Sequence, residues 1–313
     1  MLESFLPGVG HGRRVLTHCC AGMLAAGSIA LLPVAPAATA APTVVAEGSC
    51  PAVRVGTEVP FAVPLLDWSE NVGFDGAGNL WVARSYRNEV QRYDSAGRLT
   101  ASVAVAFPGA VRLGPDGLMY VNSGDTPTSV LTGSSIVRFD PAAADPRAET
   151  FAPGRGMVNG SAFDADGFLY VTDSLSGVIR IRPDGSTDDA WSERSRIFQA
   201  NGIVVVGRDL YVGVMTSPGG QILRVPIDDP SARTVAAQLN PDVVPAFPDD
   251  LAVGPDGRFY VATALGRLAR VDPNTGVSCT VYSGQPMTSV AVAPDGDLLV
   301  GTESGDLLRV HLS

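Results

Sequence analysis

From Val72 onward the apolar residues come in short runs, and the runs are cut by turns that hold Asp and Gly. Runs of this kind between such breakers predict β-strands joined by tight hairpins. One unit recurs: an apolar strand, the turn, and a second strand ending in an aromatic residue or Leu followed by Val. Its copies are VGFDGAGNLWVA, VRLGPDGLMYVN, SAFDADGFLYVT, GIVVVGRDLYVG, LAVGPDGRFYVA and VAVAPDGDLLVG. Self-similarity of this kind decides architecture before any single element does.

The valines that end the second strands, Val82, Val121, Val171, Val212, Val261 and Val300, stand about 40 to 50 residues apart. A third strand follows each copy (NEVQRYD, SSIVRFD, GVIRIRPDG, GQILRVP, GRLARVD, GDLLRVH), and most copies supply a fourth, such as LTASVAV or SCTVYSG. Six such meanders predict an all-β chain: a six-bladed β-propeller with four-stranded blades. A sandwich or a β-helix does not explain why the unit recurs as a complete meander. The sixth copy ends at Ser313, directly after its third strand, so its fourth is expected from the N-terminal segment AVRVGTEVPFAV. Such a strand would close the ring and remove an open sheet edge.

In a propeller the innermost strands start near one axis, so the residues at their starts converge. The positions twelve before each anchor valine are Glu70, Gly109, Asn159, Ala200, Asp249 and Thr288; the hairpin of copy four is one residue shorter, which moves its position to Asn201. The convergent set is therefore Glu70, Asn159, Asn201 and Asp249. Two carboxylates and two amide carbonyls are hard oxygen donors, the chemistry of Ca²⁺, with Mn²⁺ or Zn²⁺ as alternative divalent cations. Taken singly, an Asn before a strand is a common turn residue and Glu70 is a plausible solvated loop residue. Four oxygen-bearing side chains at one register in four blades point to a shared site. The Asp-Gly pairs at Asp116, Asp166, Asp256 and Asp295 lie between first and second strands and are expected to be hairpin turns without chemistry.

The segments SENVGFD, MVNGSAFD, QANGIVV and FPDDLAV resemble, in order and spacing, motifs of the senescence marker protein/gluconolactonase/luciferin-regenerating-enzyme-like family of calcium-dependent propeller hydrolases. Diisopropyl fluorophosphatase and the paraoxonases are more distant relatives of that family. The resemblance implies that Glu70, Asn159, Asn201 and Asp249 ligate one ion, that Asp249 is general base or nucleophile, and that Glu70 shares the catalytic centre. Asn71 and Val72 stand where the family often has Gly-Pro, and Asp250 where it has Gly or Asn. Asp250 is open to three roles: a further ligand or substrate contact, a like charge that raises its neighbour's pKa, or a strand cap. Met157 replaces an Arg that gluconolactonase-like members carry, a departure from a sugar-acid lactone site.

Loops after the second strands are expected to ring the same mouth of the tunnel. The longest, residues 122–135, is a candidate lid or a tolerated surface loop. Tyr86, Ser174 and Met215, three or four residues past their anchors, are expected to contact substrate, with Asp250 and Thr288.

Composition narrows the chemistry. The 313-residue chain is 45% hydrophobic and 17% charged, enough to bury a large core, and carries a net charge of −10. That charge disfavours nucleic acid as a partner; a small-molecule substrate and a monomer are expected. All 22 basic residues are arginine, which removes lysine chemistry. Arg13, Arg14, an apolar run and the small residues Ala38 and Ala40 predict an export signal over residues 1–40, twin-arginine or Sec, with the propeller over 41–313. The run is too short, and too broken by Gly27 and Pro33, for a membrane anchor, so a secreted, extracellular or periplasmic location is expected. Cleavage would remove His11, His18, Cys19 and Cys20, leaving His311 as the one histidine and Cys50 with Cys279 as an expected disulfide.

Three functional readings follow. The first is a lactonase- or esterase-like hydrolase in which the cation polarises a carbonyl or phosphoryl oxygen. The second is a binding propeller with structural calcium. The third is a metal-independent, strictosidine-synthase-like propeller, whose activity would survive chelation.

Overall fold

A computed structural model describes residues 50–240 and 245–312; the expected export signal lies outside them. Blade one shows how the repeat folds. Ser69–Phe74 pairs antiparallel with Leu80–Arg84, that strand with Glu89–Tyr93, and Glu89–Tyr93 with Leu99–Ala104. Asp75 makes the first turn: its carboxylate accepts the N–H groups of Ala77 and Asn79 at 2.9 Å, while Gly78 takes a φ of 82°. Only a residue without Cβ adopts that angle freely.

The anchor valines explain why the pattern repeats. All six are completely buried, and across the hairpin they face Val72, Val111, Ser161, Ile203, Leu251 and Val290. Six antiparallel blades result, a β-propeller almost without helix. Six apolar clusters hold it together, each shared by two neighbouring blades; Tyr170 and Val178 of blade three, for instance, pack on Ile203 and Val225 of blade four. The core is thus divided among the blade interfaces, where sheet packs on sheet.

Four-stranded blades were expected throughout, and blade three departs from this. Its sheet has three strands, Val158–Phe163, Leu169–Asp173 and Gly177–Ile181, followed by an isolated bridge between Ile181 and Thr187. Beyond that bridge Asp188 accepts the N–H of Trp191 and starts the one-turn helix Asp189–Ser192. Trp191 is buried against Tyr170 and donates its indole N–H to Ile227 of blade four, 2.7 Å away. The helix thus packs an indole, with its N–H satisfied, where the other blades carry a fourth strand.

The sixth sheet draws on both ends of the described chain. Arg54–Val59 pairs antiparallel with Leu307–His311, with Val55 opposite Val310. Just before it, Cys50 is disulfide-bonded to Cys279 in the outer strand of blade five, Ser278–Ser283. No helix among the described residues is long and apolar enough to cross a membrane.

Candidate functional site

Glu70, Gly109, Asn159, Asn201, Asp249 and Thr288 are each the second residue of their blade's inner strand. At that residue every blade breaks register with its second strand, for example between Ser69 and Asn71 in blade one and Pro248 and Asp250 in blade five. Such a bulge frees one residue from the ladder and re-aims its side chain. Four of the six, Glu70, Asn159, Asn201 and Asp249, thereby line one pocket of about 300 Å³.

The two Asn-Gly pairs are strand, not turn. A Cβ on Gly160 would lie 2.5 Å from the backbone oxygen of Asn201, and one on Gly202 would lie 2.5 Å from Cα of Asp250. Glycine after each asparagine lets adjacent inner strands close in, and this brings the side chains within reach of one centre.

Tyr86, Ser174 and Met215 line the pocket as expected. Asp250 and Thr288 do not reach it. Asp250, 3% exposed, accepts from Asn71 Nδ2 at 3.0 Å and from the backbone N–H of Leu251 and Val290, and pairs with Arg112 at 3.3 Å. Thr288 donates its hydroxyl to the carbonyl of Ser69. The one-residue step along the strand from Asp249 to Asp250 sends the two carboxylates into different surroundings. His311 lies 2.6 Å from Asp297, on the last strand and outside the pocket.

The pocket also holds acids that the register count did not select. Asp125 comes from the connection 124–134 between the second and third strands of blade two, shorter at both ends than the expected 122–135, and its Oδ2 accepts from Asn159 Nδ2 at 3.0 Å. Blade two has no side chain at its register position: a Cβ on Gly109 would stand 2.9 Å from Asp125 Oδ2, so the loop carboxylate takes that place. Thr126 and Pro127 of the same loop join the lining, as does Glu303 after the second strand of blade six. Asp125 and Glu303 sit four and three residues past their anchor valines. The offset that finds Tyr86, Ser174 and Met215 finds them too when applied to every blade.

These carboxyl groups are crowded; Asp249 is buried, while Glu70, Asp125 and Glu303 are half-buried. Burial, followed by the charge of Glu70, pushes Asp125 and Asp249 well above the usual carboxylate range, and Asp250 adds to the effect on Asp249. Burial also raises Glu70, although the Trp68 indole, donating to Oε2 at 2.6 Å, and the neighbouring Asp125 carboxyl oppose it. Glu303 is raised by burial. The cluster holds more negative charge than it can solvate.

The donor set fits a hard cation. Asn201 Oδ1 and Asp125 Oδ1 are buried without any hydrogen-bond partner. Asn201 spends its amide N–H on Met215 Sδ, at 3.4 Å, and Asn159 spends one on Asp125. Buried oxygens without partners are costly in protein and are what a divalent cation recruits. Among the described residues no three His, Cys, Asp or Glu side chains alone form a metal cluster, so a cation here would need the asparagine oxygens as well.

No protein-family profile matches the sequence, and no curated protein matches it. Solved structures do match the fold. A gluconolactonase from Xanthomonas campestris is 16% identical, with a TM-score of 0.63 over 83% of this chain and 90% of its own. A glucose dehydrogenase is 15% identical, with a TM-score of 0.65 over 83% of this chain and all of its own. The PQQ-bound form of an aldose sugar dehydrogenase from Streptomyces coelicolor is 17% identical, with a TM-score of 0.59 over 84% of this chain and all of its own. At such identities the likeness establishes the propeller, and function has to be argued from the site.

Proposed function

We propose that the protein is a hydrolase of lactones and esters whose pocket holds one hard divalent cation, Ca²⁺ in the first place. The observation that carries this reading is the pair of unpartnered buried oxygens on Asn201 and Asp125, set in one pocket with Glu70, Asn159 and Asp249. Those five side chains would hold the cation, which when bound would polarise the substrate carbonyl.

The chain's own groups supply the rest. Asp249, raised well above the usual carboxylate range by burial and by its neighbours' charge, accepts a proton from water as the water oxygen bonds to the acyl carbon. The ring or ester C–O bond then breaks, and the departing alkoxide recovers that proton from Asp249. Trp68 fixes Glu70 through its indole N–H, so one wall of the site keeps its shape while the reacting atoms move. Trp68 and Met215 give the pocket part of its apolar lining. Export, implied by the expected signal, agrees with the Cys50–Cys279 disulfide, which needs an oxidising compartment.

The test combines elemental analysis with hydrolysis of a lactone and aryl-ester panel, with and without EDTA, on wild type and Asp249→Asn. One calcium per chain, with activity lost on both chelation and substitution, is expected. A protein that binds no ion, and whose Asp249→Asn form behaves like wild type, would instead be a binding propeller.

A further inference from the structure

The pocket has a polar floor and an apolar, anionic wall. Glu70, Asp125, Asp249 and Glu303 line it, and among the described residues no Arg, Lys or His does. A divalent cation balances only two of those four charges. The arginines on the neighbouring loops are already engaged: Arg87 pairs with Asp67 at 2.5 Å, and Arg155 pairs with Asp189 and with Glu193. Away from the cation, a substrate carboxylate or phosphate would find no basic side chain here and would face like charge.

The remaining lining is apolar: Trp68, Tyr86, Phe107, Pro127, Met157 and Met215. Further apolar residues stand exposed on the loops that carry this lining. Tyr86 is 50% exposed, and beside the lining residues Ser174, Gln199 and Ala264 stand Leu175, Phe198 and Leu265, which are 51%, 66% and 49% exposed. All lie in loops that lead into inner strands or follow second strands, at the end of the propeller where the pocket opens. Exposed apolar residues gathered around one pocket mark a binding surface, whereas scattered ones carry no meaning.

We propose that this site takes uncharged lactones or esters bearing an extended alkyl or aryl chain, lays the chain on the apolar rim of the mouth, and rejects analogues that carry a carboxylate or phosphate. The proposal rests on the hydrolase reading and names its substrate class.

The experiment measures kcat/KM of the calcium-loaded protein on γ-lactones with methyl, propyl, pentyl and heptyl substituents, on the heptyl compound bearing a terminal carboxylate, and on glucono-δ-lactone. Each methylene seated on the apolar rim is expected to raise kcat/KM by about fourfold until the rim is covered. The carboxylate is expected to lower it by about tenfold or more, a single unfavourable charge contact of ordinary size. Tyr86→Ser and Phe198→Ser should flatten the chain-length slope. A flat slope in wild type, or acceptance of the carboxylate without loss, overturns the proposal. If no lactone is hydrolysed, the hydrolase reading fails, and binding of 2-alkylcyclopentanones of increasing chain length and of the pentyl compound bearing a terminal carboxylate, followed by the part of the tryptophan quenching that Trp68→Phe removes, decides the substrate class separately. Chain-dependent quenching that a terminal carboxylate abolishes supports the apolar, anion-rejecting site; equal or absent binding of the neutral and charged ketones overturns it.

Discussion

Replacing both Cys50 and Cys279 by serine removes a cross-link between residues 229 apart in sequence, a span that takes in nearly the whole propeller. In the chain-entropy account a loop of that length restricts the unfolded ensemble by about 18 cal/mol/K, or about 5 kcal/mol at 25 °C. The bond lies at the rim, next to a strand that keeps its own ladder with Leu307–His311, so the folded state should lose few contacts. The assay is urea unfolding of wild type and the double variant, followed by circular dichroism. The midpoint should fall by an amount equivalent to several kcal/mol, and the slope m should rise because the uncross-linked unfolded chain exposes more surface. A loss under about 1 kcal/mol with unchanged m would refute the reasoning. It would mean that the first strand detaches independently, so that the cross-link never constrains the global unfolded state.

Three further outcomes are expected. Asp250→Leu leaves the half-buried Arg112 without its carboxylate and should cost about 2–4 kcal/mol, while adding Arg112→Met should recover part of the loss; a urea double-mutant cycle measures this. Asp125→Asn should weaken calcium binding by about tenfold or more in titration calorimetry while leaving the fold intact, since Asn keeps one oxygen and the hydrogen-bonding shape but removes a charge. The third concerns pH. Asp125, Asp249 and Glu70 have folded-state pKa values above their unfolded ones, so their penalty is absent below the unfolded carboxylate range and grows as pH rises through the folded values. EDTA-treated protein should therefore gain stability on mild acidification in thermal melts, and the stabilisation conferred by calcium should shrink over the same window. A chelated protein that loses stability on mild acidification would show that other groups govern that range.

The propeller was legible because one buried valine per blade, from Val82 to Val300, repeats with a turn signal before it. The same frame located Glu70, Asn159, Asn201 and Asp249, since a bulge at a fixed place in every inner strand makes register and direction equivalent. Asp125 escaped because the count back from the anchors meets Gly109 in blade two, and the offset past the anchors that reaches Asp125 was applied to only three blades. Of the roles open to Asp250, the like charge beside Asp249 is the one the geometry supports; adjacent carboxylates look alike in a sequence, and only the three-dimensional position of Arg112, 138 residues away in the chain, tells them apart. The outer edge of blade three was unreadable for a related reason. Its Trp191 is committed to the carbonyl of Ile227, a partner in the next blade.

The Arg112–Asp250 pair has a bearing on how the molecule comes apart. Arg112 of blade two donates to Asn71 of blade one and to the carbonyl of Ser161 in blade three, while Asp250 of blade five accepts from Asn71 and from the N–H of Val290 in blade six. One charge pair thus touches five blades like the hub of a wheel. Repeat proteins whose units meet only their neighbours can fray unit by unit. Here, pulling away one blade exposes or orphans a charge on which the others depend, so unfolding should proceed as a single event rather than as a succession of blade losses.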